Sequence, residues 1–169
     1  MPSTQILPSN SNRQKATFGA GYFWGVEAAF RKVPGVVDTA VGYMGGTLHE
    51  PTYRDVCTNM TGHAEVVALI FDPSQISYGK LLDVFWSIHD PTTPNRQGVD
   101  IGTQYRSVIF YHSKEQKKSA EESKERISKS DRFKHPIVTE IIPAQTFWRA
   151  EEYHQRYHEK HGGSGCAIY

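Results

Sequence analysis

A chain of 169 residues with a formal net charge of +1 and 22% charged residues has the make-up of one soluble globular domain. It lacks the basic balance by which nucleic-acid-binding proteins hold phosphates. No apolar run reaches the roughly 20 residues of a membrane-spanning helix. Two cysteines, Cys57 and Cys166, are too few for a disulfide framework, which points to a reducing, cytoplasmic setting.

The N-terminal stretch MPSTQILPSNSNRQK is polar and has no apolar signal-peptide core, so residues 1–14 are expected to form a flexible arm. Lys15–Ala20 reads as a strand. The following FGAGYFWG places a glycine-flanked bend before a short helix, Phe23–Lys32, that ends near Pro34-Gly35. Val36–Met44 alternates like a half-buried strand and is broken by Gly45-Gly46. A loop carries Tyr53 and Cys57. Ala64–Phe71, AEVVALIF, is a near-continuous apolar strand that stops at Asp72-Pro73. In Tyr78–His89 the residues Leu81, Leu82, Phe85, Trp86 and His89 recur at helical spacing. Asp90–Gln104 is a long irregular loop with two prolines and two glycines, a kind of segment that is usually functional inside a compact domain. Tyr105–His112 is predicted as a strand, Ser113–Ser130 as a charged helix, Pro136–Ile142 as the last strand and Arg149–His161 as a final helix. Residues 162–169 are expected to be a flexible tail.

With no internal repeat or linker, residues 15–161 are expected to form one domain. Strand–helix–strand–strand–helix–strand is the split βαβ order, which predicts an α+β, ferredoxin-like two-layer sandwich with a mixed or antiparallel sheet.

Several residues carry chemical potential. Tyr22 lies at a helix start, where backbone N–H groups favour negative charge, although Tyr22, Phe23 and Trp24 also suit plain core or lid packing. Glu65 stands inside an apolar strand; facing inward it has a raised pKa and acts as an acid, facing outward it is an ordinary surface group. Tyr53 and Tyr105 can donate hydrogen bonds into a pocket. His154, His158 and His161 at i, i+4, i+7 raise zinc, but no carboxylate or cysteine motif joins them, so no metal or other cofactor is expected. The Lys/Glu run of residues 114–126 reads as a solvated, salt-bridged helix face.

Five stretches in order, FGAGYFWGVEAAF, VGYMGG, PTYRDVCTNMTGHAEVV, HDPTTPNRQGVDIGTQYRSVIFY and PAQTFWRAEEYHQRY, resemble the A class of peptide methionine sulfoxide reductases from about Thr17 to Tyr157. The resemblance implies reduction of methionine-S-sulfoxide. It implies that Phe23 and Trp24 form the apolar wall for the substrate methyl group. Tyr53, Glu65 and Tyr105 would hold the sulfoxide oxygen, with Glu65 protonating it, and Asp100 would order the hydrogen bonds around them. Cys166 resembles the resolving cysteine of a cycle completed by thioredoxin. Where the family has its nucleophilic cysteine, however, this chain has Tyr22. A phenol with a pKa of about 10 against about 8.5 for a thiol is scarcely ionised at neutral pH. It also has no two-electron oxidised form corresponding to the sulfenic acid that a second thiol restores.

Three expectations follow. The first is a family member with its sulfoxide pocket retained and thiol-dependent reduction lost or severely impaired. The second is a repurposed non-redox enzyme using Tyr22, Tyr53, Tyr105 and Glu65 as an acid–base cluster for isomerisation or cyclisation of a small molecule. The third is residual reduction through Cys166, or through Cys57. Expected partners are methionine sulfoxide in peptides or a small-molecule substrate, with thioredoxin only if a thiol cycle survives. A monomer suffices for all three.

Overall fold

The computed structural model of the chain describes residues 12–162. The expected arm therefore lies largely outside the described residues, as does the segment bearing Cys166.

The fold is α+β. Strand β1 (Gln14–Ala20) leads into helix α1 (Phe23–Arg31), then β2 (Val36–Met44), a one-turn helix α2 (Tyr53–Val56), β3 (Ala64–Phe71) and α3 (Tyr78–Ser87). After a small hairpin of β4 (Arg96–Gln97) and β5 (Asp100–Ile101) come β6 (Ser107–Tyr111), α4 (Lys114–Lys129), β7 (Glu140–Pro143), β8 (Trp148–Arg149) and α5 (Tyr157–His161). The six-stranded sheet runs β7-β6-β1-β3-β2-β8. Its neighbours are antiparallel except for the parallel pair β6–β7. The inner four strands, β6-β1-β3-β2, are the split βαβ arrangement that the order of elements predicts.

Local chemistry accounts for the helix starts. Ser77 and Ser113 cap α3 and α4 by accepting backbone N–H bonds from Lys80 and Gln116. Thr52 and Asp55 form a reciprocal capping box that sets α2 within what reads in sequence as loop. The apolar spacing of α3 turns Leu81, Leu82, Phe85 and Trp86 into the core. There the ring of Phe18 from β1 stacks at 5.2 Å on both Phe30 of α1 and Phe85 of α3. The sheet and its helices are thus joined by aromatic packing, which buries more apolar area per residue than any other side-chain class.

Three expectations are corrected. The strand predicted from Tyr105 begins at Ser107, because Thr103–Tyr105 is a 3₁₀ turn. The last predicted strand, Pro136–Ile142, is confined to Glu140–Pro143. Arg149–His161 is not one helix. Arg149 closes β8 against Gly42, Glu152–His154 is a 3₁₀ turn, and only Tyr157–His161 is α-helical. Extended backbone at Glu151 and Gln155 and a left-handed Arg156 (φ 51°) interrupt it. Those interruptions are held by tertiary bonds. The Gln155 amide pairs with both the N–H and the carbonyl of Val41, and the Arg156 N–H reaches Glu27. With three buried polar partners elsewhere, the segment gains more as a strap across the domain than as a continuous helix. The histidine spacing falls with it: His154 sits in the 3₁₀ turn and not on the face of α5.

Candidate functional site: an aromatic cluster around Tyr22 and Glu65

The bend after β1 depends on Gly21. Its φ of +100° is open to glycine, and a β-carbon there would meet Gln97 Cγ of the β4–β5 hairpin at 2.8 Å. The bend sets Tyr22 as the residue before α1, with its backbone extended and its side chain not capping the helix. The phenol is half-buried among rings. It lies edge-on to Trp24 at 4.6 Å and to Phe23 at 5.7 Å, and is stacked with Tyr105 at 6.2 Å. The Tyr53 hydroxyl donates to the Tyr22 hydroxyl at 3.2 Å.

Glu65 enters from the side. In β3 it pairs with Tyr43 of β2, and the sheet buries it completely. Its Oε1 accepts the Phe23 N–H, an otherwise unpaired donor of the first turn of α1, at 3.2 Å. Its Oε2 has no partner among the described residues. Burial pushes its pKa up to about 8; the Phe23 N–H opposes the shift and Asp100 adds to it. The carboxyl is therefore mostly protonated at neutral pH and can donate from Oε2. The inward reading of Glu65 is the one realised.

Of the residues singled out in sequence, the structure brings together Tyr22, Phe23, Trp24, Tyr53, Glu65 and Tyr105, with Asp100 of β5 close enough to act electrostatically on Glu65 and Tyr105. All three phenols are held above their ordinary range. Burial raises Tyr22, eased by the Tyr53 hydrogen bond and increased by Glu65. Burial and the bond to Tyr22 raise Tyr53, and burial with Glu65 pushes Tyr105 up to about 12. Cys57 lies at the same mouth as an exposed thiol, raised mainly by burial and partly relieved by the Tyr53 hydroxyl. Among the described residues, the cluster thus holds neutral donors and aromatic rings around Tyr22 at neutral pH.

Two residues of the strap complete the site, and neither role is visible in sequence. Glu151 accepts the Tyr53 N–H at 3.0 Å and the Tyr43 hydroxyl at 2.9 Å, which fixes the start of α2 against the sheet. His154 accepts the Trp24 indole N–H at 2.8 Å. WRAEEYHQRY looks amphipathic over a helical period, and nothing local reports that its acid and histidine reach residues about a hundred positions away. Among the described residues no three histidine, cysteine or carboxylate side chains gather as a metal site.

Known proteins resemble this chain along almost its whole length. The family model for peptide methionine sulfoxide reductase matches residues 14–169. The chain is 66% identical over 153 residues to the peptide methionine sulfoxide reductase MsrA of Methanoculleus marisnigri, covering 90% of this chain and 93% of that protein. It is 66% identical over 158 residues to the MsrA of Methanothermobacter thermautotrophicus, covering 94% of each. Its structure superposes on reduced Mxr1 from Saccharomyces cerevisiae with a TM-score of 0.89 at 37% identity, over 96% of this chain and 94% of that one. The same yeast protein in complex with Trx2 matches with a TM-score of 0.67 at 27% identity, over 98% of this chain and 95% of that one. The fold, the order of motifs and these likenesses along almost its whole length make the chain a member of the peptide methionine sulfoxide reductase family.

Proposed function

We propose that this chain binds methionine-S-sulfoxide in peptides and that its thiol-dependent reduction is lost or severely impaired. The observation that carries the reading is Tyr22. At the start of α1, where the family resemblance calls for a thiol, stands a phenol bonded to Tyr53 and packed on Trp24 and Tyr105.

The remaining groups suit a sulfoxide. Its oxygen is a strong, uncharged acceptor, and Glu65, Tyr53 and Tyr105 are donors held neutral. Trp24, half-buried, offers an apolar wall for the methyl group, with Phe23 fully buried against Tyr22 beside it, and Asp100 helps keep the proton on Glu65. Reduction needs two electrons from a group that a second thiol can regenerate, and tyrosine does not provide them. Cys57 has a raised pKa and so presents little thiolate. Thioredoxin enters as a partner only if a cycle runs through Cys166. The acid–base reading is less well supported. Burial holds all three phenols neutral, so none of them serves as a base at neutral pH, and Glu65 is left as the one member of that cluster that titrates close to it.

The test uses a peptide carrying both sulfoxide epimers, incubated with the chain and excess dithiothreitol and resolved by chromatography. The S epimer is expected to remain, while calorimetry shows saturable binding of that epimer in preference to the R form. Selective disappearance of the S epimer contradicts the loss of reduction. No epimer-selective binding contradicts the retained pocket.

A further inference from the structure

Apolar side chains left in water are unevenly placed on this molecule. Among the described residues the four most exposed large apolar or aromatic side chains are Val99 at 91%, Met60 at 86%, Ile101 at 66% and Tyr153 at 54%. They come from three segments far apart in sequence, and all three border the cluster around Tyr22. Val99 and Ile101 stand on the β4–β5 hairpin, which meets the bend before Tyr22 where the Gln97 side chain lies against Gly21. Asp100, between them in the chain, acts electrostatically on Glu65 and Tyr105. Met60 lies three residues past Cys57, whose thiol acts in the same way on Tyr22 and Tyr105. Its neighbour Asn59 lies against Gly102, just past β5. Tyr153 rests on the His154 ring at 4.1 Å, and that ring lies on Tyr53 at 4.6 Å.

The local fold does not ask for these side chains. The hairpin turn needs glycine at Gly98, where φ is +60°, and gains nothing from a valine beside it at the tip. Met60 follows a left-handed Asn59 (φ 63°) and gives its N–H to the Thr58 hydroxyl, so the turn makes no demand on its thioether. A single exposed apolar residue is ordinary, whereas several gathered around one site mark a surface that another molecule covers. The same segments carry both signs of charge, Arg96 with Asp100 and Arg54 with Asp55, so they do not select a charged partner. A methionine sulfoxide in a peptide reaches the cluster with its neighbours in the chain lying across this rim. Methionines set among apolar residues are those that folded proteins bury and unfolding exposes.

We propose that Met60, Val99, Ile101 and Tyr153 form an apolar rim that recognises the residues flanking a methionine sulfoxide. The preferred ligand is then an unfolded segment that carries the sulfoxide among apolar side chains. This rests on the sulfoxide-binding reading above and adds a substrate class to it. The long unbranched side chain of Met60 suits a rim that must fit varied neighbours.

The test compares two short peptides carrying methionine-S-sulfoxide, one flanked by leucine and valine and the other by glycine and serine. Calorimetry on the unaltered chain is expected to show about tenfold tighter binding of the apolar peptide, as burial of one apolar side chain supplies. In a Tyr22→Cys background with dithiothreitol, KM for the apolar peptide is expected to be about tenfold lower at similar kcat. Val99→Ser with Ile101→Ser is expected to bring both ratios close to one and to leave the urea midpoint unchanged. Ratios near one without these substitutions overturn the proposal, and so does a preference that survives them. A double variant that loses stability makes the residues structural and overturns it too. A double variant altered only in thioredoxin-supported turnover assigns the rim to the protein reductant and overturns the substrate class. If the unaltered chain binds neither peptide, the sulfoxide-binding reading fails, and the KM ratio in Tyr22→Cys still decides the rim. If Tyr22→Cys is inactive as well, both readings fall.

Discussion

The hydroxyl of Tyr53 donates to the hydroxyl of Tyr22 across 3.2 Å, joining the first turn of α2 to the start of α1. Two phenols meet there because Gly21 bends the chain sharply and Glu151 holds the Tyr53 N–H. A half-buried bond between neutral groups contributes about 1 kcal/mol. Tyr53→Phe is therefore expected to lower unfolding free energy by about that amount in urea titrations. A loss several times larger would mean that the pair organises the loop beyond this one bond.

Glu65 ties stability to pH. Its carboxyl keeps the ordinary value near 4.5 in the unfolded chain and is pushed up to about 8 in the fold. The folded state therefore holds a proton that the unfolded chain releases. Stability from this group is fully present below about pH 4.5 and is lost as pH rises toward 8, by roughly 1.4 kcal/mol per pH unit at most. Glu65→Gln keeps an acceptor for the Phe23 N–H and removes the titration. Its melting temperature should fall less between pH 5 and pH 8 than that of the unaltered chain. Parallel pH profiles would show that Glu65 titrates normally.

Cys57 is exposed, yet its thiol is raised above the usual range. In a Cys166→Ser protein, alkylation by iodoacetamide is expected to be slow at pH 7 and to accelerate above the ordinary thiol range near 8.5. Fast labelling at neutral pH would reveal a thiolate at the mouth of the pocket and revive a cysteine-based reduction.

Gly42 carries the strap. In β2 it pairs with Arg149 of β8, and a β-carbon there would run into the Trp148 carbonyl and the Phe147 ring. Gly42→Ala is expected to cost about 1–3 kcal/mol, as overpacking does. Because β8 leads into Glu151 and His154, the Trp24 indole resonance should shift in the same variant. Full stability with an unchanged indole would show that β8 is free to move without disturbing the site.

Much of this was legible in the sequence where the determinant is local. AEVVALIF reads as a near-continuous apolar strand, but alternation leaves Glu65 open to either face, and only the central place of β3 in the sheet turns it inward. Leu81, Leu82, Phe85 and Trp86 fix the inner face of α3 by spacing alone. The strap is different. Tyr153, His154 and Tyr157 fall at intervals that a helix would also use, and only the partners of Glu151, Gln155 and Arg156 decide against it. Those partners lie on β2, α1 and α2, so the roles of Glu151 and His154 belong to tertiary structure. The short β4–β5 hairpin was hidden for a related reason: two-residue strands leave no periodicity to read.

We propose that the site keeps its sulfoxide-binding groups and lacks only the nucleophile. The most direct measurement is single-turnover reduction of a methionine-S-sulfoxide peptide with excess dithiothreitol, run on this chain and on Tyr22→Cys side by side. Reduction by Tyr22→Cys and none by the unaltered chain is the predicted result. Equal turnover by both would contradict it, because another thiol would then be doing the work that Tyr22 is held to prevent.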